Sequence, residues 1–308
     1  MSLHTPVTFS VIIPTYNRCA LLEETLRSVR AQTTQPQEVI VVDGASTDGT
    51  TAVLETLRDQ VAVVRTARMA PGAARNAGAA AARSEYLAFL DSDDLWMPWT
   101  LATMAEVIER NHRPAYICGS FRQFADRSEL VRESALPLEA ESFENYFSSW
   151  TRQFVIGAGM IVVRRDVFVT SGGFSPAAIN MEDHDFSLKL GVAPGFVQIH
   201  QPLTLGWRRH GGGVTRDLDR SAAGCDLLIA TERAGGYPGG AAWEMARRNI
   251  ITTHTRTFSL ECARAGRVRE AFDVYRRTFA WHVAMGRLKY LIMLPLLLVA
   301  RVFQRRTA

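Results

Sequence analysis

Cysteine is scarce and scattered. The 308 residues contain four, Cys19, Cys118, Cys225 and Cys262, none at a spacing that makes a zinc or redox pair. A reduced, cytoplasmic setting fits that usage. The N-terminus lacks a basic segment followed by an apolar run, so no secretory signal is expected. Low-complexity blocks and internal repeats are absent too, and 47% hydrophobic with 21% charged residues is ordinary globular composition. The length suits one large domain or two modest ones. Acid is short in one place only. From Arg264 to Ala308 there are ten Arg or Lys against Glu270 and Asp273, a net +8, so the overall +4 leaves −4 for everything before it. Basic charge confined to one end implies an anionic partner, a membrane or a nucleic acid.

What is present is a regular alternation. Phe9–Ile13 is a short apolar run closed by Pro14, and Glu38–Val42 is a second, unbroken rather than alternating, as strands covered on both faces are. Val61–Val64 and Leu87–Leu90 continue the series, with Ala115–Cys118 beyond. Helices are expected over Leu21–Arg30, Thr51–Leu57, Trp99–Asn111 and the alanine-rich Pro71–Arg83, whose small side chains would let it sit close to a sheet. Strand and helix in turn predict a largely parallel sheet with right-handed crossovers, and ligands then bind beyond the carboxyl ends of the strands. Further on, Gly157–Val163, Phe196–Ile199 and Leu203–Trp207 read as strands, and Gly172-Gly-Phe174 as a tight turn. A helix is expected from Glu182 through Leu190. Residues 121–151 carry no clear pattern. Past Thr215 the chain becomes helical, interrupted by a loop at 234–240, with Gly266 placed to stop one helix before another over Val268–Met285.

The chemistry collects at the strand ends. Leu87-Ala-Phe-Leu90 runs straight into Asp91-Ser-Asp93-Asp94, three carboxylates in four positions. Grouped like charges cost stability unless a cation is present, and such a pair suits Mg²⁺ or Mn²⁺ held by one or two carboxylates plus substrate phosphates. The plainer alternative is a solvated turn in which Asp94 caps a helix opened by Pro98. Tyr16 follows the first strand and Asp43 the second, the residue types that stack on a nucleobase and accept from its ring N–H. Arg75 in Gly72-Ala-Ala-Arg-Asn-Ala-Gly78 offers a cation to a diphosphate. Each has a bland counterpart, a packed tyrosine or a solvated helix arginine. Their convergence on one sheet edge carries more weight. Glu182-Asp183-His184-Asp185 is a second acidic cluster. Acids favour a helix N-terminus anyway, yet Asp183 can also serve as a base toward an acceptor hydroxyl. His210, before three glycines, is a metal or phosphate contact or a surface histidine.

Five ordered stretches resemble the motifs of family 2 glycosyltransferases: Ser10-Val-Ile-Ile-Pro-Thr-Tyr-Asn-Arg18, Glu38–Asp48, Gly72–Gly78, Leu90–Asp94, and Gly172-Gly-Phe174 followed by Glu182–Leu190. The resemblance spans roughly residues 7–215. It implies a GT-A fold, an α/β architecture with a mostly parallel sheet flanked by helices, as a catalytic domain over 1–215, leaving 216–308 as a helical extension. It also implies a nucleotide-sugar donor, a divalent metal (Mn²⁺ or Mg²⁺) and inversion at the anomeric carbon. By the same resemblance Tyr16 and Asp43 hold the nucleobase, Arg75 contacts the nucleotide, and Asp91 touches ribose or donor sugar. Asp93 binds the metal, Asp183 is the general base, and His210 matches a histidine found near that position. Gly44 stands where the family usually carries a second acid. The Gln-x-x-Arg-Trp motif of processive synthases and a set of membrane spans are both missing, so transfer of one sugar is expected, with a UDP-sugar favoured.

Tyr290–Ala300 is apolar nearly all round, and at about eleven residues it is short of the roughly twenty that span a bilayer. Arg287 and Lys289 precede it and Arg301, Arg305 and Arg306 follow. Residues 287–306 thus read either as a peripheral membrane contact at the inner face, with a glycan or lipid-linked acceptor, or as a helix packed on protein. The aliphatic tail counts against nucleic acid. Two rivals remain at this stage: a non-catalytic sugar-nucleotide or glycan-binding module, and a nucleotidyltransferase. Asp93 and Asp183 argue against the first, and the absence of a glycine-rich basic loop after strand one argues against the second.

Overall fold

The computed structural model describes residues 6–152, 154–209 and 217–307. They form two compact units, one of Met1–Tyr146, Phe154–Ala178 and Val192–Gly213, the other of Phe147–Gln153, Ile179–Gly191 and Val214–Ala308. The sequence suggests a single cut near 215. In the structure the segment carrying Asp183 groups with the helical unit instead.

The first unit begins with β1 (Phe9–Thr15), α1 (Cys19–Arg30), β2 (Glu38–Asp43), α2 (Thr50–Thr56), β3 (Ala62–Arg65), α3 (Pro71–Ala81) and β4 (Tyr86–Phe89). It continues with β5 (Leu95–Trp96), α4 (Thr100–Arg110), β6 (Tyr116–Cys118), β7 (Phe121–Phe124), α5 (Ser128–Val131) and β8 (Glu139–Phe143). β9 (Ile161–Arg164), α6 (Arg165–Ser171), β10 (Phe196–Gln201) and β11 (Leu205–Arg208) complete it. Eight strands make one sheet in the order β3-β2-β1-β4-β9-β6-β10-β8, and β5-β11-β7 make a small second sheet. The unbroken apolar runs become its centre: Val11, Ile12, Ile13, Val41, Val42 and Leu87–Leu90 are buried. β1 pairs in parallel with both β2 and β4, so the chain order reverses between β1 and β4. A crevice opens at such a switch point beyond the strand ends. The alanine-rich helix sits as close as its composition suggests. A Cβ at Gly78 would come 2.5 Å from Ile12 Cγ2.

The mostly parallel sheet stands, with its antiparallel members now placed, and two other expectations change. β9 is inserted antiparallel between β4 and β6, and β8 is antiparallel to β10, so the sheet is mostly but not wholly parallel. The Gly157–Val163 strand starts only at Ile161, after a 3₁₀ turn over Ala158–Met160, where a Cβ at Gly159 would lie 3.5 Å from Asp94 Oδ2. Asp94 does not cap α4. That helix follows β5, begins at Thr100 and has no side-chain cap.

The second unit contains α7 (Glu182–Lys189), α8 (Leu218–Arg233), α9 (Glu244–Arg264), α10 (Val268–Ala284) and α11 (Leu288–Thr307). Asp217 caps α8 by accepting from the Asp219 and Arg220 N–H groups. Arg247 and Glu232 form a buried ion pair between α9 and α8 (2.6 Å), and Arg247 also donates to the carbonyls of Pro238 and Gly240. This fixes the 234–240 loop. α9 ends as expected at Gly266, at φ 75°.

The tail helix is apolar on both its inward and its exposed faces. Tyr290, Leu294 and Leu298 turn inward at four-residue spacing, while Leu288, Ile292, Leu296 and Val299 stay exposed. Pro295 has no N–H for the Leu291 carbonyl, and the Tyr275 hydroxyl donates to that oxygen instead (2.9 Å). Arg287 also turns inward, donating to Thr252 Oγ1 and Asn249 Oδ1 (both 2.6 Å) on α9. It is therefore a brace within the unit rather than a headgroup ligand. Burial, with Arg256 nearby, lowers its pKa to about 10.

Candidate functional site

In the first unit the loops after β1 and β2 are laced together. Thr47 N–H donates to Asn17 Oδ1 (2.7 Å), and Asn17 N–H donates to Ser46 Oγ (2.9 Å). Asn17 adopts φ 51°, a left-handed conformation that asparagine tolerates well. Cys19 N–H, at the start of α1, donates to Asp48 Oδ2 (3.0 Å). Burial pulls the Asp48 pKa up, but this bond and those from Thr50 outweigh it and hold the carboxyl low. Asp43, at the end of β2 and buried, accepts from Ser46 N–H (3.1 Å) and Thr51 Oγ1 (3.2 Å). Tyr16 stands beside it at the end of β1, 36% exposed, with the Arg68 guanidinium 4.5 Å from its ring centroid. A Cβ at Gly44 would make ordinary van der Waals contacts, with Thr15 O, Arg68 Cα and Tyr16 Cβ at 3.6–3.9 Å.

The carboxylate turn follows β4. Asp91 accepts from Arg75 Nη2 on α3 at 2.5 Å, and the Arg75 side chain is only 3% exposed against 34% for Asp91. The Phe174 ring lies 5.3 Å from that guanidinium. Asn76 fixes the ring's loop by donating to Phe174 O (2.8 Å) and accepting from Phe174 N–H (3.0 Å). Arg75 thus orients Asp91, a use the sequence does not reveal. Asp93 is partly exposed, its Oδ2 3.8 Å from Arg18 Nη2. Asp94 is buried and accepts the Arg208 N–H at 2.8 Å. The Arg208 side chain donates to Asp93 O (2.8 Å) and pairs with Glu24 (2.7 Å). Burial, then the charges of Asp91 and Asp93, push the Asp94 carboxyl well above the usual range, and Arg208 offsets this only in part.

Arg18 and Arg208 are the two side chains the sequence reading misses. Arg18 closes the first motif. Arg208 opens the Arg-Arg-His run, but its partners lie more than a hundred positions earlier.

Among the described residues no group of three His, Cys, Asp or Glu forms a closed metal cage. The turn instead groups three carboxylates, of which Asp93 is partly exposed and Asp94 is held toward its neutral form. That donor set fits a hard divalent ion taking one or two carboxylates and completing its shell from a diphosphate. His210 lies outside the described residues.

Asp183 belongs to the second unit, in the first turn of α7. Its side chain is 19% exposed, and its Oδ1 accepts the His184 N–H at 2.8 Å. The turn before it is pinned: Met181 adopts φ 72°, and Asn180 donates to Asp217 O (3.1 Å) and Ser221 Oγ (2.8 Å). A Cβ at Gly224 would fall 2.0 Å from Asn180 O, so α8 needs glycine there to admit this turn. Asp185 is neutralised by Lys189 (2.7 Å) and the Tyr237 hydroxyl (2.9 Å). The His184 ring stacks on His254, centroids 3.5 Å apart. Burial lowers the His184 pKa to about 4, and burial with His184 alongside takes His254 well below the usual value.

A doubly wound sheet with grouped carboxylates at its switch point defines a protein of the nucleotide-binding α/β class. The chain matches the family model "Glycosyl transferase family 2" over residues 10–170, and it belongs to that family. A Haemophilus influenzae protein described as an uncharacterized glycosyltransferase is 32% identical over 202 residues, covering 63% of this chain and 66% of that one. Across the first relatives the chain spans about a third to two thirds of their length. Staphylococcus aureus TarS 1–349, solved with UDP-GlcNAc, superposes at TM-score 0.71 with 21% identity over 96% of this chain and 88% of that one. The mannosyltransferase PcManGT of Pyrobaculum calidifontis, solved with GDP-Man and Mn²⁺, gives 0.53 with 19% identity over 98% and 87%. The fold is GT-A.

Proposed function

We propose that the chain is an inverting, metal-dependent glycosyltransferase. It moves one sugar from a nucleotide-diphosphate donor, a UDP-sugar by preference, to a hydroxyl of a glycan or lipid-linked precursor. The observation that carries the donor half is the pair of buried Arg75 with half-buried Asp91 beside partly exposed Asp93, directly after the switch-point strand. Tyr16 and Asp43 would take the nucleobase, Arg75 would contact the nucleotide, Asp91 the ribose or donor sugar, and Asp93, with His210, would hold the Mn²⁺ or Mg²⁺. That ion, when bound, supplies positive charge to the departing diphosphate. Asp183 would accept the acceptor's proton as its oxygen bonds to the anomeric carbon and the bond to the diphosphate breaks, inverting the centre. The pinned turn before α7 supports this role, since it holds the carboxylate in one orientation. Residues 1–215 would then supply the catalytic residues and 216–308 the helical extension, with the protein at the cytoplasmic face of a membrane.

The test is calorimetric titration of UDP, GDP and dTDP, each with Mn²⁺ and again with chelator. Metal-dependent binding of one nucleotide, UDP by expectation, supports the donor assignment. No binding of any of the three with metal present overturns it.

A further inference from the structure

The turn that carries Asp183 holds a second group, and its placement is unusual for a histidine. The His184 side chain is 15% exposed, so the ring sits mostly out of water. Its backbone N–H donates to Asp183 Oδ1 at 2.8 Å, and its ring Nε2 lies 3.8 Å from the same oxygen. The other ring nitrogen, Nδ1, is buried and has no partner among the described residues. One face of the ring is covered by His254 of α9, with centroids 3.5 Å apart and planes 25° from parallel.

These surroundings select one form of the ring. Burial lowers its pKa to about 4, and Asp183 at 3.8 Å is too far away to make up for the lost hydration, so the imidazole is neutral near neutral pH. Its ionisable neighbours do not reverse this. Glu182 opens the same turn, Asp185 is taken by Lys189 and Tyr237, and His254 is itself held neutral by burial and by His184. The contact with α8 runs through Asn180 and Ser221, which carry no charge. A neutral imidazole has one N–H. On Nδ1 that proton would be a buried donor without an acceptor, and the Nε2 lone pair would face a carboxylate. On Nε2 it turns its positive end toward Asp183 Oδ1 and leaves only an acceptor unmet, which is the smaller cost. At 3.8 Å this is a dipole contact rather than a hydrogen bond. An imidazolium in the same place would hold protons off Asp183, whereas a neutral ring orients the carboxylate and leaves it basic.

We infer that His184 is a positioning residue for Asp183: its neutral ring, protonated on Nε2 and roofed by His254, fixes the carboxylate that takes the acceptor's proton. The role rests on Asp183 as the base. His184 does not relay that proton, since the nitrogen facing Asp183 already carries one.

The experiment reads the ring directly, by ¹⁵N NMR of the full chain labelled at histidine, near neutral pH. His184, assigned by its loss in His184→Phe, is expected to carry its proton on Nε2 alone. Asp183→Ala should leave a mixture of the two tautomers. His254→Ala uncovers the ring and should move its titration up toward the ordinary value near 6.5, while His254→Phe keeps the cover and the wild-type signals. Turnover is followed as UDP released from UDP-glucose or UDP-N-acetylglucosamine. His184→Phe should lower it by roughly tenfold with the affinity for UDP and Mn²⁺ unchanged, and His184→Gln, whose amide N–H stands in for Nε2–H, should recover most of it. In His184→Phe the carboxylate loses a donor, so the acid limb of the turnover profile should rise by roughly half a pH unit. Acid unfolding, read by circular dichroism, should shift to lower pH because one buried imidazole is gone, so a purely structural role would carry the limb downward. A proton on Nδ1, an imidazolium near neutral pH, or an acid limb that follows the unfolding overturns the inference. Retained turnover in Asp183→Asn would strike the base assignment itself, whatever the ring shows.

Discussion

The first unit buries a carboxyl among carboxylates, and the second buries imidazoles, two of them stacked on each other. Asp94 is pushed up by burial and by the charges of Asp91 and Asp93, and Arg208 offsets this only in part. In the helical unit the shifts go the other way. Burial takes His184 to about 4 and His282 to about 3, the latter with Arg287 and Arg256 alongside, and His254 also falls well below its usual value. Neither His282 ring nitrogen has a hydrogen-bond partner, and the ring lies 4.4 Å from Tyr290. At the sheet edge acids crowd one another, and in the helical unit burial holds imidazoles toward the neutral form. Binding and base chemistry would thus draw on different physical resources.

The sharpest test of that contrast is Asp183→Asn. It removes the proposed base without altering a residue of the first unit, and turnover should fall by roughly a hundredfold to ten-thousandfold in a donor-consumption assay. Next comes Arg75→Ala, which leaves Asp91 without its buried partner. Asp91 is 34% exposed, so the loss should sit at about 3 kcal/mol, the lower end for a broken buried pair, read by denaturant unfolding.

Acid should separate the units. The folded pKa values of His184 and His282 lie below the unfolded value near 6.5, so their contribution to stability is complete above that pH and is lost as pH falls toward 4. Protonating one such ring in place costs on the order of 3 kcal/mol. Helical circular dichroism should therefore fall between about pH 6 and 4, and His282→Phe should move the transition to lower pH. The smallest effect belongs to Gly44→Asp. A Cβ there makes only ordinary contacts, and the residue is not among those at positive φ, so stability should change by only about 0.5 kcal/mol or less. Nucleobase preference, read by comparing UDP and GDP titrations, is where a change should register.

Much of the first unit was legible because unbroken apolar runs ended in polar residues at Tyr16, Asp43 and Asp91, and that pattern alone sets strands, crossovers and the ligand edge. The antiparallel insertion of β9 left no such mark, since Ile161–Val163 is apolar in either direction. The role of Arg75 was hidden for another reason. A helix arginine looks the same whether it meets a phosphate or Asp91, and only the placement of Phe174 buries it. Arg208 was hidden by distance along the chain. In the second unit the helices were readable, but the inward turn of Arg287 depended on Asn249 and Thr252, and the His184–His254 stack joined residues seventy positions apart. Periodicity reports which face a residue takes, not what waits there.

The division between binding and base chemistry is tested most directly by titrating UDP with Mn²⁺ into Asp93→Asn and Asp183→Asn side by side. The account predicts wild-type affinity for Asp183→Asn. It predicts at least a roughly tenfold loss for Asp93→Asn, since even groups that merely support a metal ligand cost that much when removed. Equal loss in both variants, or full retention in both, would contradict it.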